Sequence, residues 1–113
     1  MDGTDLILYK KTEVLLNDVY ALLKGFPKSE KFALCQEIKQ AFYALLRNIL
    51  LANNVRAQRR IYQEKADADI KLLLALFGIA KKQRYITTKK NFQIQNSMQE
   101  IGKILGGWMR TTR

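Results

Sequence analysis

FPKSEKFALCQEIKQAFYALLRNILLANN, from Phe26 to Asn54, sets the architecture of this chain. Pro27 suits a first helical turn, and Ser29 is positioned as an N-cap ahead of Glu30. No Gly or Pro then intervenes before Asn53-Asn54, a pair that favours leaving a helix. Cys35, Ile38, Phe42, Leu45, Ile49 and Ala52 recur at alternating steps of three and four, which places them on one seam of a helix. Leu34, Ala41, Leu46, Leu50 and Leu51 flank that seam and widen the apolar arc. One neighbour covers a seam; an arc this wide asks for two or three. The stretch predicts the central helix of a bundle.

The rest of the chain supplies the neighbours. A first helix is expected from Thr4 or Asp5 to about Lys24, capped by Thr4, with Asp5 near its N-terminus. Tyr9, Leu16, Tyr20 and Leu23 mark its expected inner face, with Ile7, Val19 and Leu22 at the margins. Gly25 stops it, and the short Phe26-Pro27 link makes the first two helices antiparallel neighbours. After Asn53-Asn54 a turn is expected over residues 53–57, followed by a solvated start to a third helix. Its seam is Ile70, Leu73, Phe77 and Ala80 after Ala66, widened by Leu72, Leu74, Leu76 and Ile79. Gly78 within it is either a point of close approach or a tolerated defect. Tyr85-Ile86 form the next connection, Thr87 or Thr88 caps the last helix, and Ile94, Met98, Ile101, Leu105 and Trp108 form its seam. Phe92 and Ile104 sit beside that seam, and Gly106-Gly107 should loosen the turn before Trp108. The pattern predicts an all-α, antiparallel up-down-up-down four-helix bundle in one domain, residues 1–113. A three-helix bundle with a frayed end, or helices exchanged between subunits, fits the same pattern.

Composition agrees. The 113 residues are enough to bury about two-thirds of the unfolded surface. An apolar fraction of 48% supports a core, and one Pro and six Gly leave little turn chemistry for an all-β fold. The lone Cys35 falls on the helix seam, so it reads as a small buried apolar residue in a reducing compartment. The N-terminus has no signal-peptide pattern, and the apolar run Leu72–Ala80 is far too short to span a bilayer. A soluble, cytoplasmic protein is expected.

The sequence argues against catalysis. It contains no His, which removes the usual zinc sites and Ser-His or Cys-His nucleophilic chemistry. Gly106-Gly107 matches no phosphate loop, because Trp108 and Met109 follow it. The acids are scattered, and Asp67 and Asp69 diverge on a helix. No catalytic, metal or cofactor residue is assigned.

What remains is binding. The formal charge is +10, and it is unevenly placed: residues 1–34 balance, residues 35–69 carry +2 and residues 70–113 carry +8. Such asymmetry suits a polyanion, most naturally nucleic acid, although a solvated Lys-rich exterior gives the same count. Arg56, Arg59 and Arg60 form one basic cluster; Lys81, Lys82, Arg84, Lys89 and Lys90 form a second. The bundle topology puts the clusters at opposite ends, with Arg110 and Arg113 returning toward the first and Lys71 and Lys103 between. Lys and Arg give phosphate affinity without sequence readout. Tyr62 and Tyr85, beside the clusters, are candidates for stacking on unpaired bases or else partly buried bundle ends.

The residues also carry a resemblance. Phe26-Pro27, then Glu30-Lys31-Phe32-Ala33-Leu34, Gln36, Ile38, Ala41 and Asn48-Ile49, resemble the opening of bacterial four-helix bundles that include proteins encoded by ribosomal RNA intervening sequences. Leu73-Leu74, Tyr85-Ile86-Thr87 and the ending Glu100-Ile101-Gly102-Lys103-Ile104-Leu105-Gly106-Gly107-Trp108 resemble the accessory variability proteins of diversity-generating retroelements. The likeness covers roughly residues 22–110 and is weakest over 53–69. It implies a basic homopentamer of four-helix bundles that binds a reverse transcriptase and template RNA, or an RNA–DNA hybrid, in mutagenic cDNA synthesis. The expected function is therefore a non-enzymatic accessory protein. The rivals are an oligomeric structural bundle of the intervening-sequence type with no nucleic-acid role, and a regulatory partner of an acidic protein.

Overall fold

The computed structural model describes residue 1 and residues 3–112. Helix α1 spans Thr4–Leu23, α2 Leu34–Asn54, α3 Arg59–Lys82 and α4 Thr88–Thr111. Single 3-10 turns at Lys28–Glu30 and Arg56–Gln58 lead into α2 and α3. No strand occurs among the described residues. The architecture is an all-α, up-down-up-down four-helix bundle, 43 × 25 × 20 Å. Helices α1 and α3 each pack on α2 and α4, while α2 and α4 lie diagonally across the core.

The seam of α2 is buried along its whole length, and Leu34 and Ala41 are buried with it. Phe42 meets Phe77 of α3 edge to face, ring centroids 6.4 Å apart, at the centre of the bundle. The outer part of the expected arc is more open: Leu46 and Leu51 are half-buried and Leu50 is exposed. The seams on α3 and α4 are also buried, except that Trp108 is only half-buried. The Arg59 guanidinium lies 5.7 Å from the Trp108 ring centre and covers one of its faces at the bundle end.

Helix α1 is rotated from its expected register. Its buried side chains are Leu8, Thr12, Leu15, Leu16, Val19 and Leu23, whereas Tyr9 and Tyr20 lie at the margin and Ile7 is exposed. The reason is hydroxyl chemistry. Thr12 is tolerated in the core because its hydroxyl donates to the Leu8 carbonyl at 2.8 Å. Tyr20 keeps its phenol at the edge, where it shares a hydrogen bond with the Tyr43 hydroxyl of α2. Gln63 of α3 also lies in the core, where its amide nitrogen donates to Thr112 Oγ1 at 2.9 Å while its Oε1 has no partner among the described residues.

Three expected helix ends are corrected. Gly3, not Thr4, is the N-cap of α1, and its N–H donates to Asp5 Oδ1 at 3.4 Å. Ser29 does not cap α2, because residues 28–33 form turns and the helix proper starts at Leu34. Glu30 takes the capping role from four residues upstream, its Oε1 accepting the Leu34 N–H at 3.3 Å. Gly106 and Gly107 do not loosen α4, which continues to Thr111. Thr87 caps α4 as expected, its hydroxyl accepting the Lys90 N–H at 3.0 Å. Gly78 has no atom within 4 Å of where a Cβ would sit, so no neighbour within the chain requires it.

Candidate nucleic-acid interface

The two connections at one end of the bundle are fastened to each other. The Tyr85 hydroxyl, between α3 and α4, donates to Glu30 Oε2, between α1 and α2, at 2.8 Å. The Phe26 and Tyr85 rings lie 5.4 Å apart beneath that bond. Accepting this hydroxyl, the Glu30 carboxylate raises the Tyr85 phenol above its usual range. The up-down topology brings Lys24, Lys28 and Lys31 to the same end as Lys81, Lys82, Arg84, Lys89 and Lys90, and the clasp fastens the two connections there. Glu30 is the one acid within residues 24–33 and 81–90, against eight cations. Among the described residues the ion pairs are Lys11–Glu100, Arg60–Glu64 and Lys71–Asp67. None uses a cation of this end. The result is a basic pole in which, among the described residues, no cation is held in an ion pair.

Two placements at the pole work against stability. Arg84 has φ 64°, the left-handed position that closes α3, where Gly is the residue without strain. The Tyr85 N–H reaches back to the Ala80 carbonyl at 2.9 Å, as that closure requires. Lys89 and Lys90 stand in the first turn of α4, which holds no acid, although the helix dipole there favours negative charge. Cations held in strained or opposed positions point to a use outside the fold. Lys81, Lys82, Arg84, Thr87 and Thr88 border an open recess of about 470 Å³ above Tyr85 and Ile86.

The other expected cluster is differently employed. Arg59 closes the C-terminus of α2, with Nε donating to the Ala52 carbonyl at 2.7 Å and Nη2 to that of Asn53 at 3.0 Å. Arg60 Nη1 donates to the Met109 carbonyl of α4 at 2.9 Å, and its Nε pairs with Glu64 at 3.2 Å. Arg110 folds back over Gly106 and Gly107: a Cβ at Gly106 would lie 3.5 Å from its Nη1. Arg56 is exposed, Lys103 stands with Lys71 along the α3–α4 groove, and Arg113 lies outside the described residues. The expected contact residues are thus not one surface. Five gather at the pole, and Arg59 and Arg60 serve helix ends.

The chain belongs to the bAvd-like family. The family model matches residues 6–112, the span of all four helices, and the family is that of the bacterial accessory variability determinants. No curated protein matches the chain in sequence. Among solved structures it is similar to a protein of unknown function from the S23 ribosomal protein family of Bacteroides thetaiotaomicron, determined at 1.70 Å. That likeness has a TM-score of 0.82 at 20% identity and covers 96% of this chain and 99% of the other. It is a likeness of fold. No helix among the described residues is long and apolar enough to cross a membrane.

In this bAvd-like chain the tyrosines expected to stack on bases are occupied. Tyr85 packs on Phe26 and bonds Glu30, and Lys65 covers Tyr62 at 5.6 Å from its ring centre. The open aromatic face at the pole belongs to Phe92, 65% exposed rather than beside the core, whereas Phe32, 80% exposed, carries the Lys31 ammonium 5.4 Å from its ring centre. Lys24, Lys28 and Lys31 were hidden in the sequence because the N-terminal third has no net charge. The topology held the signal, since the first and third connections of an up-down bundle share an end.

Proposed function

We propose that this chain is a non-enzymatic accessory protein of a diversity-generating retroelement, holding template RNA or an RNA–DNA hybrid while bound to the reverse transcriptase. The observation that carries the reading is the basic pole: eight cations, in no ion pair among the described residues, at the end formed by two clasped connections. Family membership supplies the retroelement context. The active form is a homopentamer, in which five poles held together raise avidity without any new contact. An outward seam on α3 supports self-association. Ile61, Leu72 and Ile79 are 52%, 47% and 46% exposed, with Ala68 and Ala75 on the same face.

A filter-binding titration at several salt concentrations tests the pole. Each neutralised phosphate releases condensed counterions, so RNA affinity should fall steeply with salt. Replacing Lys81, Lys82 and Arg84 together with Gln should flatten the log–log slope by about 2 and weaken unrelated RNA sequences alike. Circular dichroism should show intact helices, because these side chains face water. Binding that is absent, or that ignores salt, would favour the structural-bundle rival and remove the proposed role.

A further inference from the structure

A pocket of about 240 Å³ opens beside the pole, between the C-terminal end of α1 and the N-terminal end of α2. Tyr20, Phe26 and Pro27 form an apolar wall, and Cys35 lies at the base with its thiol directed toward the Leu23 carbonyl at 3.9 Å. Four lysines line it, Lys24, Lys28, Lys31 and Lys39, the Lys31 ammonium lying 5.4 Å from the Phe32 ring centre at its edge. No carboxylate lines it, and among the described residues none of the four lysines is in an ion pair. Lys39 lies 4.9 Å from the Tyr20 ring centre, so one cation is held against the wall itself.

These features ask for one kind of ligand. Four like charges around a small concavity repel each other, and a compact polyanion relieves that repulsion better than scattered chloride. Lys offers three donors each as a point charge, suited to terminal phosphate oxygens. The apolar wall offers a contact surface for a base or ribose beside the charges, without a free ring face for stacking. The pocket is smaller than sites for drug-sized ligands, so it fits an end rather than a strand running through. We infer that it binds the polyphosphate end of a nucleotide: a free nucleoside triphosphate or the 5′-triphosphate terminus of an RNA. The inference rests on the RNA-holding role only in sharing Lys24, Lys28 and Lys31 with the pole.

The test is a calorimetric titration of metal-free ATP into the purified full chain at low salt. ATP should bind saturably, and Lys28→Gln with Lys39→Gln should weaken it about tenfold or more through lost charge-assisted hydrogen bonds. The exposed pair Lys28→Gln with Lys31→Gln serves as a second variant should replacement of Lys39 disturb Tyr20. Lys82→Gln with Lys89→Gln should lower RNA affinity and leave ATP within about a factor of two, since those charges lie outside the pocket and are screened. ATP should also slow alkylation of Cys35, the sole thiol. Equal weakening of ATP by the pocket pair and the distant pair would overturn the inference in favour of diffuse attraction. Tripolyphosphate binding as tightly as ATP would overturn it by showing that the wall reads no base. A second arm compares one RNA with a 5′-triphosphate and a 5′-hydroxyl end: a preference lost in the pocket variants identifies the strand end, and equal binding identifies the free nucleotide. RNA binding without ATP binding removes the pocket alone; ATP binding without RNA binding removes the pole's role alone.

Discussion

Asp69 is a carboxylate whose charge the fold opposes. It is half-buried between α2 and α3, where Asn48 Nδ2 donates to its Oδ2 at 2.7 Å. Burial raises its pKa, and the Asn48 bond offsets only part of that rise. The folded state therefore holds this proton more tightly than the unfolded chain. Asp69 stabilises the bundle when protonated, and that contribution is lost as pH climbs from the unfolded value through the raised folded one. Asp69→Asn keeps an acceptor for Asn48 without the charge. It should raise the unfolding midpoint at pH 7 and have no effect below about pH 4, which denaturant titrations at both pH values would check. An unchanged midpoint at pH 7 would mean that the carboxylate is solvated. In the sequence Asp69 looks like any scattered acid on a polar helix start; only its neighbour Asn48, 21 residues away, gives it a role.

At the scale of the element, the end of α3 carries the clearest conflict between folding and use. Its closing position requires φ 64° and is filled by Arg84. A left-handed residue with a Cβ costs about 1 kcal/mol relative to Gly there. Arg84→Gly should therefore stabilise the bundle by about that amount while reducing RNA affinity and the salt slope. Thermal unfolding and filter binding of one variant read both effects. A variant that loses stability would show that the arginine side chain supports the fold, and the case for an outward role would fail. The opposite end shows the contrary arrangement, with Arg59 and Arg60 closing α2 and α4 through their carbonyls. Two basic clusters that look alike in sequence thus differ in what their guanidinium and ammonium groups have left to bind.

For the whole molecule, the unsettled surface is the outer face of α3. Ile61, Leu72 and Ile79 are too closely aligned on one face to be scattered exposure. Light scattering at micromolar concentration should give a mass about five times that of the 13.1 kDa chain. Leu72→Glu should lower that mass without unfolding the chain, because Leu72 is not part of the buried seam. A strictly monomeric wild type would remove the avidity argument, although the pole of a single bundle would still be testable by its salt slope.

The sequence by itself determined the bundle. Period and punctuation are local properties, so the seams of α2, α3 and α4, the link at Gly25 and the Thr87 cap could all be read from residues a few positions apart. It also contained every cation and the family likeness. Where polarity entered a seam the reading failed: the face of α1 turned because Tyr9 and Tyr20 keep their hydroxyls at the margin, while Thr12 buries its hydroxyl with a partner and Gln63 buries an amide whose nitrogen alone is bonded. Tertiary structure alone decided which charges are free. An arginine beside a helix end is a cap or a contact depending on whether a carbonyl lies within reach, and that carbonyl belongs to another helix. Lys24, Lys28 and Lys31 share an end with Lys81 to Lys90 through the up-down topology, and only the tertiary structure shows that Tyr85 and Glu30, 55 residues apart, fasten the two connections there.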